Sequence, residues 1–120
     1  MIKGIGVDLV KISRLDSLSD YQKMRMFSAE ERAEAETLAP CKQSEYYASR
    51  FAAKEAFSKA LGISLFTFRL TDIAIVRNGA GAPEFLLSGS AAEKAESCNL
   101  FLSISHEKEY AVAMVVCDAQ

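Results

Sequence analysis

Two hydrophobic periods alternate along this chain, one suited to strands and one to helices. Positions 2–12 (IKGIGVDLVKI) are rich in Ile and Val, carry glycines at Gly4 and Gly6, and predict a first strand. Ser28 and Glu31 frame a capping box ahead of ERAEAETLA, so a short helix follows, stopped by Pro40. A longer helix is predicted from about Gln43 to Leu61, with Gly62 placed as its C-terminal stop. Phe68 to Val76 reads as a strand, 78–83 (NGAGAP) as a turn, and Phe85 to Leu87 as the returning strand of a hairpin. Ser90 and Glu93 form a second capping box, opening a helix that ends near Asn99. Two strands close the chain, Leu100 to Ser105 and Tyr110 to Val116, joined by the polar turn HEKE. The order β-α-α-β-β-α-β-β predicts an α+β domain, not a doubly wound sheet. No repeat or linker divides residues 1–120, so one compact domain is expected, a mainly antiparallel sheet packed on the long helix.

The long helix is the most informative segment. At about 100° per residue, Tyr46, Ala53, Phe57, Ala60 and Leu61 share one face, while Ala48, Phe51 and Ala52 lie roughly opposite. A helix apolar on two faces is expected to be largely buried. Glu55 projects from the second patch, with Lys59 one turn on. One reading is an ordinary i,i+4 pair, contributing only ~0.2–0.5 kcal/mol. The other is a carboxylate held in a partly dry site to bind a cation. Arg50, Lys54 and Ser58 form a further stripe, either a solvated basic face or a set of donors suited to phosphate oxygens.

Asp8 is the second anomaly, an acid inside the apolar strand GIGVDLV. There it is either on the solvent side of an edge strand or paired or metal-bound, since an unpaired buried charge is costly. Gly4 and Gly6 alone do not make a dinucleotide-binding turn, because the third glycine and the following helix are absent. His106, the only histidine, ends a predicted strand. The segment HEKEY at 106–110 lacks the second histidine of a zinc-protease helix and reads as a turn.

Composition narrows the classes. Fourteen basic and sixteen acidic residues give a net charge of −2, which argues against a dedicated nucleic-acid binder. Cys41, Cys98 and Cys117 are odd in number and widely spaced, so reduced thiols and a reducing compartment are expected. No stretch approaches the ~20 apolar residues of a membrane helix, and the N-terminus does not read as a signal peptide. The expectation is a cytoplasmic protein.

Taken together and in order, GIGVDLVKISR at 4–14, RFAAKEAFSKALG at 50–62, the turn holding Gly81 and Pro83, and SISHEKEYAVAMV at 103–115 resemble the holo-acyl-carrier-protein synthases, a phosphopantetheinyl transferase family. The resemblance spans almost the whole chain. It implies a magnesium enzyme that moves the phosphopantetheine arm of coenzyme A to a serine of apo-acyl carrier protein, in fatty acid biosynthesis, releasing adenosine 3′,5′-bisphosphate. It also implies a homotrimer with active sites between subunits. The alternative is a non-catalytic coenzyme A-binding module on the same scaffold.

By the family pattern Asp8 and Glu55 would be the magnesium ligands, which gives both anomalies one cause. Arg50, Lys54 and Ser58 would hold nucleotide phosphates, and Lys59 would face the leaving diphosphate. The turn at Gly81 and Pro83 would lie along the coenzyme, with His106 near its phosphate end. Glu55 or a magnesium-bound water would take the serine proton. Arg14 matches a basic position that docks the carrier protein, and Lys23 and Arg25 are further candidates. Two departures stand out: Ala82 replaces a commonly basic residue of the turn, and Ile63 to Phe66 replace a Thr-Gly continuation after Gly62.

Overall fold

A computed structural model describes residues 1–120. Its strands are β1 (Ile2–Lys11), β2 (Ile73–Arg77), β3 (Pro83–Leu87), β4 (Cys98–His106) and β5 (Tyr110–Ala119). Its helices are α1 (Asp20–Met26), α2 (Ala29–Glu36), α3 (Pro40–Leu61) and α4 (Gly89–Lys94). Three short 3-10 turns, Ile12–Leu15, Leu65–Thr67 and Leu70–Asp72, complete the order. β1, β5 and β4 form an antiparallel sheet in that order, and β2 pairs with β3 as a separate antiparallel hairpin. The α+β class and the long helix packed on an antiparallel sheet are as expected.

α3 lies across the three-stranded sheet, and glycine makes that crossing possible. In β1 alternate residues point to alternate sides, so Gly4, Gly6, Asp8 and Val10 turn toward the helix. A Cβ on Gly4 would overlap the carbonyl oxygen of Ala60, and one on Gly6 would overlap that of Ala56. Strand backbone and helix backbone therefore touch, with the small residues Ala52, Ala53, Ala56 and Ala60 filling the helix side. The other side of β1 is left open: Ile5, Val7 and Leu9 are 62%, 55% and 62% exposed. Their sheet neighbours Val116, Met114 and Val112, with Phe101 beyond, extend an apolar face.

A second core sits on another side of the C-terminal half of α3. Phe57 meets Phe68 and Phe85 at 5.4 and 5.3 Å between ring centroids, and Ile73, Ala91 and Ala95 close around them. α3 ends as its sequence suggests. Gly62 adopts φ +69°, and its N–H and that of Ile63 return to the carbonyls of Lys59 and Ser58.

Several boundaries differ from expectation. Pro40 does not stop a helix but opens α3 at its first turn, where its missing N–H costs nothing. α1 was not anticipated; it is set by a capping box between Ser19 and Gln22 and buries no residue, so it has no apolar stripe to read. The expected strand from Phe68 shrinks to Ile73–Arg77, because 3-10 turns occupy the preceding residues. The capping box at Ser90 does not form. Ser88 is the N-cap, its hydroxyl donates instead to Asp72 at 3.1 Å, and α4 ends at Lys94. No helix is long and apolar enough to cross a membrane.

The backbone contact at β1 generates a prediction. Gly6→Ala must displace α3, and should cost at least ~1–3 kcal/mol in a urea melt, the usual range for overpacking. An unchanged midpoint would show that α3 does not rest on this glycine.

Candidate active site

The sheet crossing brings Asp8 beside the middle of α3. Lys59 Nζ donates to Asp8 Oδ1 at 3.1 Å and to the Val7 carbonyl at 3.1 Å. Asp8 is 17% exposed and Lys59 52%, so the pair lies at the edge of the site and contributes modestly by itself. Glu55 stands one turn before Lys59 on α3. Its carboxyl is held above the ordinary range, first by burial and then by the charge of Asp8, with Lys59 and Arg14 pulling the other way. Two acids and two bases thus share one electrostatic neighbourhood. Arg14 itself sits on the 3-10 turn that follows β1.

These residues fit a hard divalent cation. Magnesium commonly uses one or two carboxylates and completes its shell with waters and substrate phosphates. Asp8 and Glu55 supply two carboxylates, and their repulsion is of the kind a cation relieves. No cluster of three or more His, Cys, Asp or Glu side chains offers a complete protein cage. Beside the pair is a shallow pocket of about 380 Å³, lined by Glu55, Ser58, Lys59, Gly62, Ser64 and Phe66 among others. The altered segment from Ile63 to Phe66 is therefore a wall of this pocket, and Phe66 stands 97% exposed at its rim. The Ser58 hydroxyl donates to the Glu55 carbonyl at 2.8 Å.

A second group of expected residues gathers elsewhere. Arg50 is buried, with its guanidinium 3.9 Å from the Tyr46 ring centroid and 3.6 Å from Glu34. Burial pushes the Tyr46 hydroxyl up to about 12, despite the opposing charge of Arg50. Arg50 Nε and the Tyr46 hydroxyl are buried without hydrogen-bond partners. They border a cavity of about 540 Å³ that also takes in Lys42, Glu45, Arg77, Pro83 and His106. His106 Nε2 lies 3.3 Å from Glu45 Oε1. Gly81 adopts φ +86° in the adjoining turn, where its carbonyl accepts from Arg77 at 2.9 Å. The two groups share no lining residue. On α3, Arg50 and Glu55 point about 140° apart, five residues at about 100° each.

The stripe of Arg50, Lys54 and Ser58 does not act as one face. Lys54 is fully buried, and Nζ donates to the Met26 carbonyl, Glu31 Oε1 and the Leu70 carbonyl at 2.8, 2.8 and 2.9 Å. All three of its donors are engaged, so the expected phosphate contact is corrected to a structural tie. Glu31, read from sequence only as a capping residue, accepts from Ser28 N through Oε1 and Ile75 N through Oε2. Burial draws the Lys54 pKa downward while Glu31 resists. Removing one partner of such a pair commonly costs ~3–5 kcal/mol.

Of the candidate docking residues, Arg14 and Arg25 are exposed and Lys23 is half-buried. Arg25 donates to the Tyr21 hydroxyl at 3.0 Å and borders the largest cavity, about 630 Å³, with Met24, Phe66, Phe68, Arg69 and Leu70. Lys23 Nζ lies 5.6 Å from the Tyr47 ring centroid. Sequence reasoning missed Lys42, Glu45 and Arg77. Nothing in their local pattern separates them from surface charge; only the fold brings them to one cavity.

Comparison with known proteins adds a further finding. The profile of the 4′-phosphopantetheinyl transferase superfamily matches residues 4–115. A holo-acyl-carrier-protein synthase of Geobacillus kaustophilus is 39% identical, covering 98% of this chain and 90% of its own length. That of Syntrophotalea carbinolica is 42% identical, covering 96% and 94%. Among solved structures, a holo-(acyl-carrier-protein) synthase from Bacillus anthracis, in complex with CoA (3′,5′-ADP), superposes with a TM-score of 0.87 at 36% identity, covering 100% and 99%.

The raised Glu55 carboxyl has a consequence for stability. Its folded pKa lies above the unfolded one, so its favourable contribution is complete only below the ordinary carboxylate range and is lost as pH rises through the folded value. Glu55→Gln should therefore raise the melting temperature of metal-free protein at neutral pH, with the gain fading on acidification. An equal or lower melting temperature at neutral pH would contradict the acid-pair geometry.

Proposed function

The chain belongs to the 4′-phosphopantetheinyl transferase superfamily, and from that premise we propose that it transfers the phosphopantetheine arm of coenzyme A to a serine of an apo-acyl carrier protein. It is a holo-acyl-carrier-protein synthase by activity, serving fatty acid biosynthesis. The serine oxygen bonds to the phosphorus that carries pantetheine. The bond from that phosphorus to the oxygen of the adenosine half breaks, and adenosine 3′,5′-bisphosphate leaves. The observation that carries the residue assignment is the acid pair, Asp8 beside a Glu55 whose proton affinity is raised first by burial and then by the charge of Asp8. A coenzyme A-binding module without catalysis has no use for that arrangement.

Asp8 and Glu55 would hold magnesium, which when bound supplies neutralisation of the diphosphate charge. Lys59, beside the same shallow pocket, orients the diphosphate, while the Ser58 hydroxyl keeps its one hydrogen on the Glu55 carbonyl. Glu55 is the proton acceptor this region offers to the serine. Arg50, Pro83 and His106 hold the nucleotide end, supported by the buried, unpartnered Nε of Arg50. The Gly81 turn runs along it. Positioning and electrostatics do most of the work, as in other phosphoryl transfers. Arg14, close enough to act on Glu55, together with Lys23 and Arg25, docks an acidic face of the carrier so that its serine arrives near the acid pair. A reducing cytoplasmic setting accords with three free cysteines.

The working assembly is a homotrimer with each active site between subunits. Two observations support it. The acid group and the nucleotide cavity share no lining residue in one chain, so each chain carries two unlike half-sites. The exposed apolar face of Ile5, Val7, Leu9, Met114 and Phe101 is also a surface that seeks cover. Unlike surfaces meeting head to tail form a ring where the rotation between copies closes, and an open filament where it does not.

One assay tests the chemistry and the assembly together. Wild-type protein with coenzyme A, magnesium and apo-carrier should add the phosphopantetheine mass to the carrier, and Glu55→Gln and Arg50→Met should each abolish or nearly abolish it. Refolding the two variants together in equal amounts should restore roughly a quarter of the sites, from random mixing in a ring. No restoration would place the site within one chain. Full activity of Glu55→Gln alone would remove the acid pair from the mechanism.

A further inference from the structure

The cavity around Arg50 contains one cation whose position is fixed by the turn above it. Arg77 closes β2, and its Nη1 donates to the Gly81 carbonyl at 2.9 Å, so the guanidinium is anchored across the hairpin turn. Arg50 lies 3.6 Å from Glu34 with its Nε still unpartnered, and His106 lies 3.3 Å from Glu45. Arg77 forms no ion pair. One of its five N–H donors is used, leaving a planar fork at the cavity wall, the geometry that suits phosphate oxygens. Lys42 borders the same cavity but no hydrogen bond fixes its ammonium, so it is a weaker candidate for orientation. Ala82, between Gly81 and Pro83, presents only a methyl group and competes for no anion.

Coenzyme A carries two separated anionic groups, the diphosphate and the 3′-monophosphate. The acid pair and Lys59 account for the first. We propose that Arg77 recognises the second, and so sets the preference of this protein for coenzyme A over its analogue lacking the 3′-phosphate. The assignment rests on the transferase reading above. It also gives Ala82 a meaning: the positive charge that the turn itself lacks is delivered from the strand beneath it.

The test is steady-state arm transfer to an apo-acyl carrier protein, using coenzyme A and dephospho-coenzyme A as alternative donors, the latter releasing adenosine 5′-monophosphate. Arg77→Ala should raise KM for coenzyme A roughly ten- to a hundredfold, the loss expected for a hydrogen-bonded charge. It should leave kcat, and KM for dephospho-coenzyme A, little changed. Arg77→Lys should recover part of the loss, as should Ala82→Lys in the Arg77→Ala background. Equal losses on both donors would mean that Arg77 only orders the turn, and no loss on coenzyme A would remove it from recognition; either overturns the assignment while the transferase reading stands. Wild-type protein that modifies no carrier with either donor would defeat both.

Discussion

The contact between β1 and α3 at Gly4 and Gly6 is the constraint on which the site depends. Two side-chain-free positions let a helix rest directly on strand backbone, closer than any other residue type would allow. Asp8 is the next inward-facing residue of β1 after Gly6, and the helix above it carries Glu55 and Lys59. The acid pair is thus a consequence of main-chain packing, not of a flexible loop reaching for a ligand. Sites built on strands and helices hold their geometry better than sites on loops. The same contact explains the alanine run on α3, whose small side chains keep the crossing tight.

A second tie holds the surroundings of the site. The three donors of Lys54 join the end of α1, the capping box of α2 and the 3-10 turn at Leu70, while Glu31 also receives Ile75 N from β2. One buried pair therefore fixes four segments to α3. A buried ion pair is rarely the most stable solution available, but a fully bonded one specifies a single arrangement. Here it also sets α1, the helix that bears Lys23 and Arg25, the proposed docking residues. Opposed to it stands the acid pair, whose ionised form is unfavourable without a cation, the sort of local cost that functional sites carry.

What could be read from the chain follows a physical division. Asp8 and Glu55 stood out because each breaks an apolar local pattern, and a broken pattern is visible without a fold. The Gly62 stop and the capping box at Ser28 were legible because their chemistry is contained within a few residues. Lys54 was misread because its partners lie 16, 23 and 28 residues away, and periodicity alone could not show which side of α3 was covered. The same holds for Gly4 and Gly6, whose role depends on a helix some fifty positions later in the chain. α1 escaped notice for the opposite reason: it packs so lightly that its sequence keeps no apolar stripe. The cavity of Arg50, Arg77 and His106 assembles from three distant segments and has no local signature.

The most direct test of the central claim is calorimetric titration of magnesium into the coenzyme A-bound protein, wild type against Asp8→Asn. The wild type should bind magnesium saturably, and the variant should lose that binding or weaken it beyond measurement. An affinity unaltered by Asp8→Asn, or the absence of any magnesium binding to the wild type, would contradict the claim.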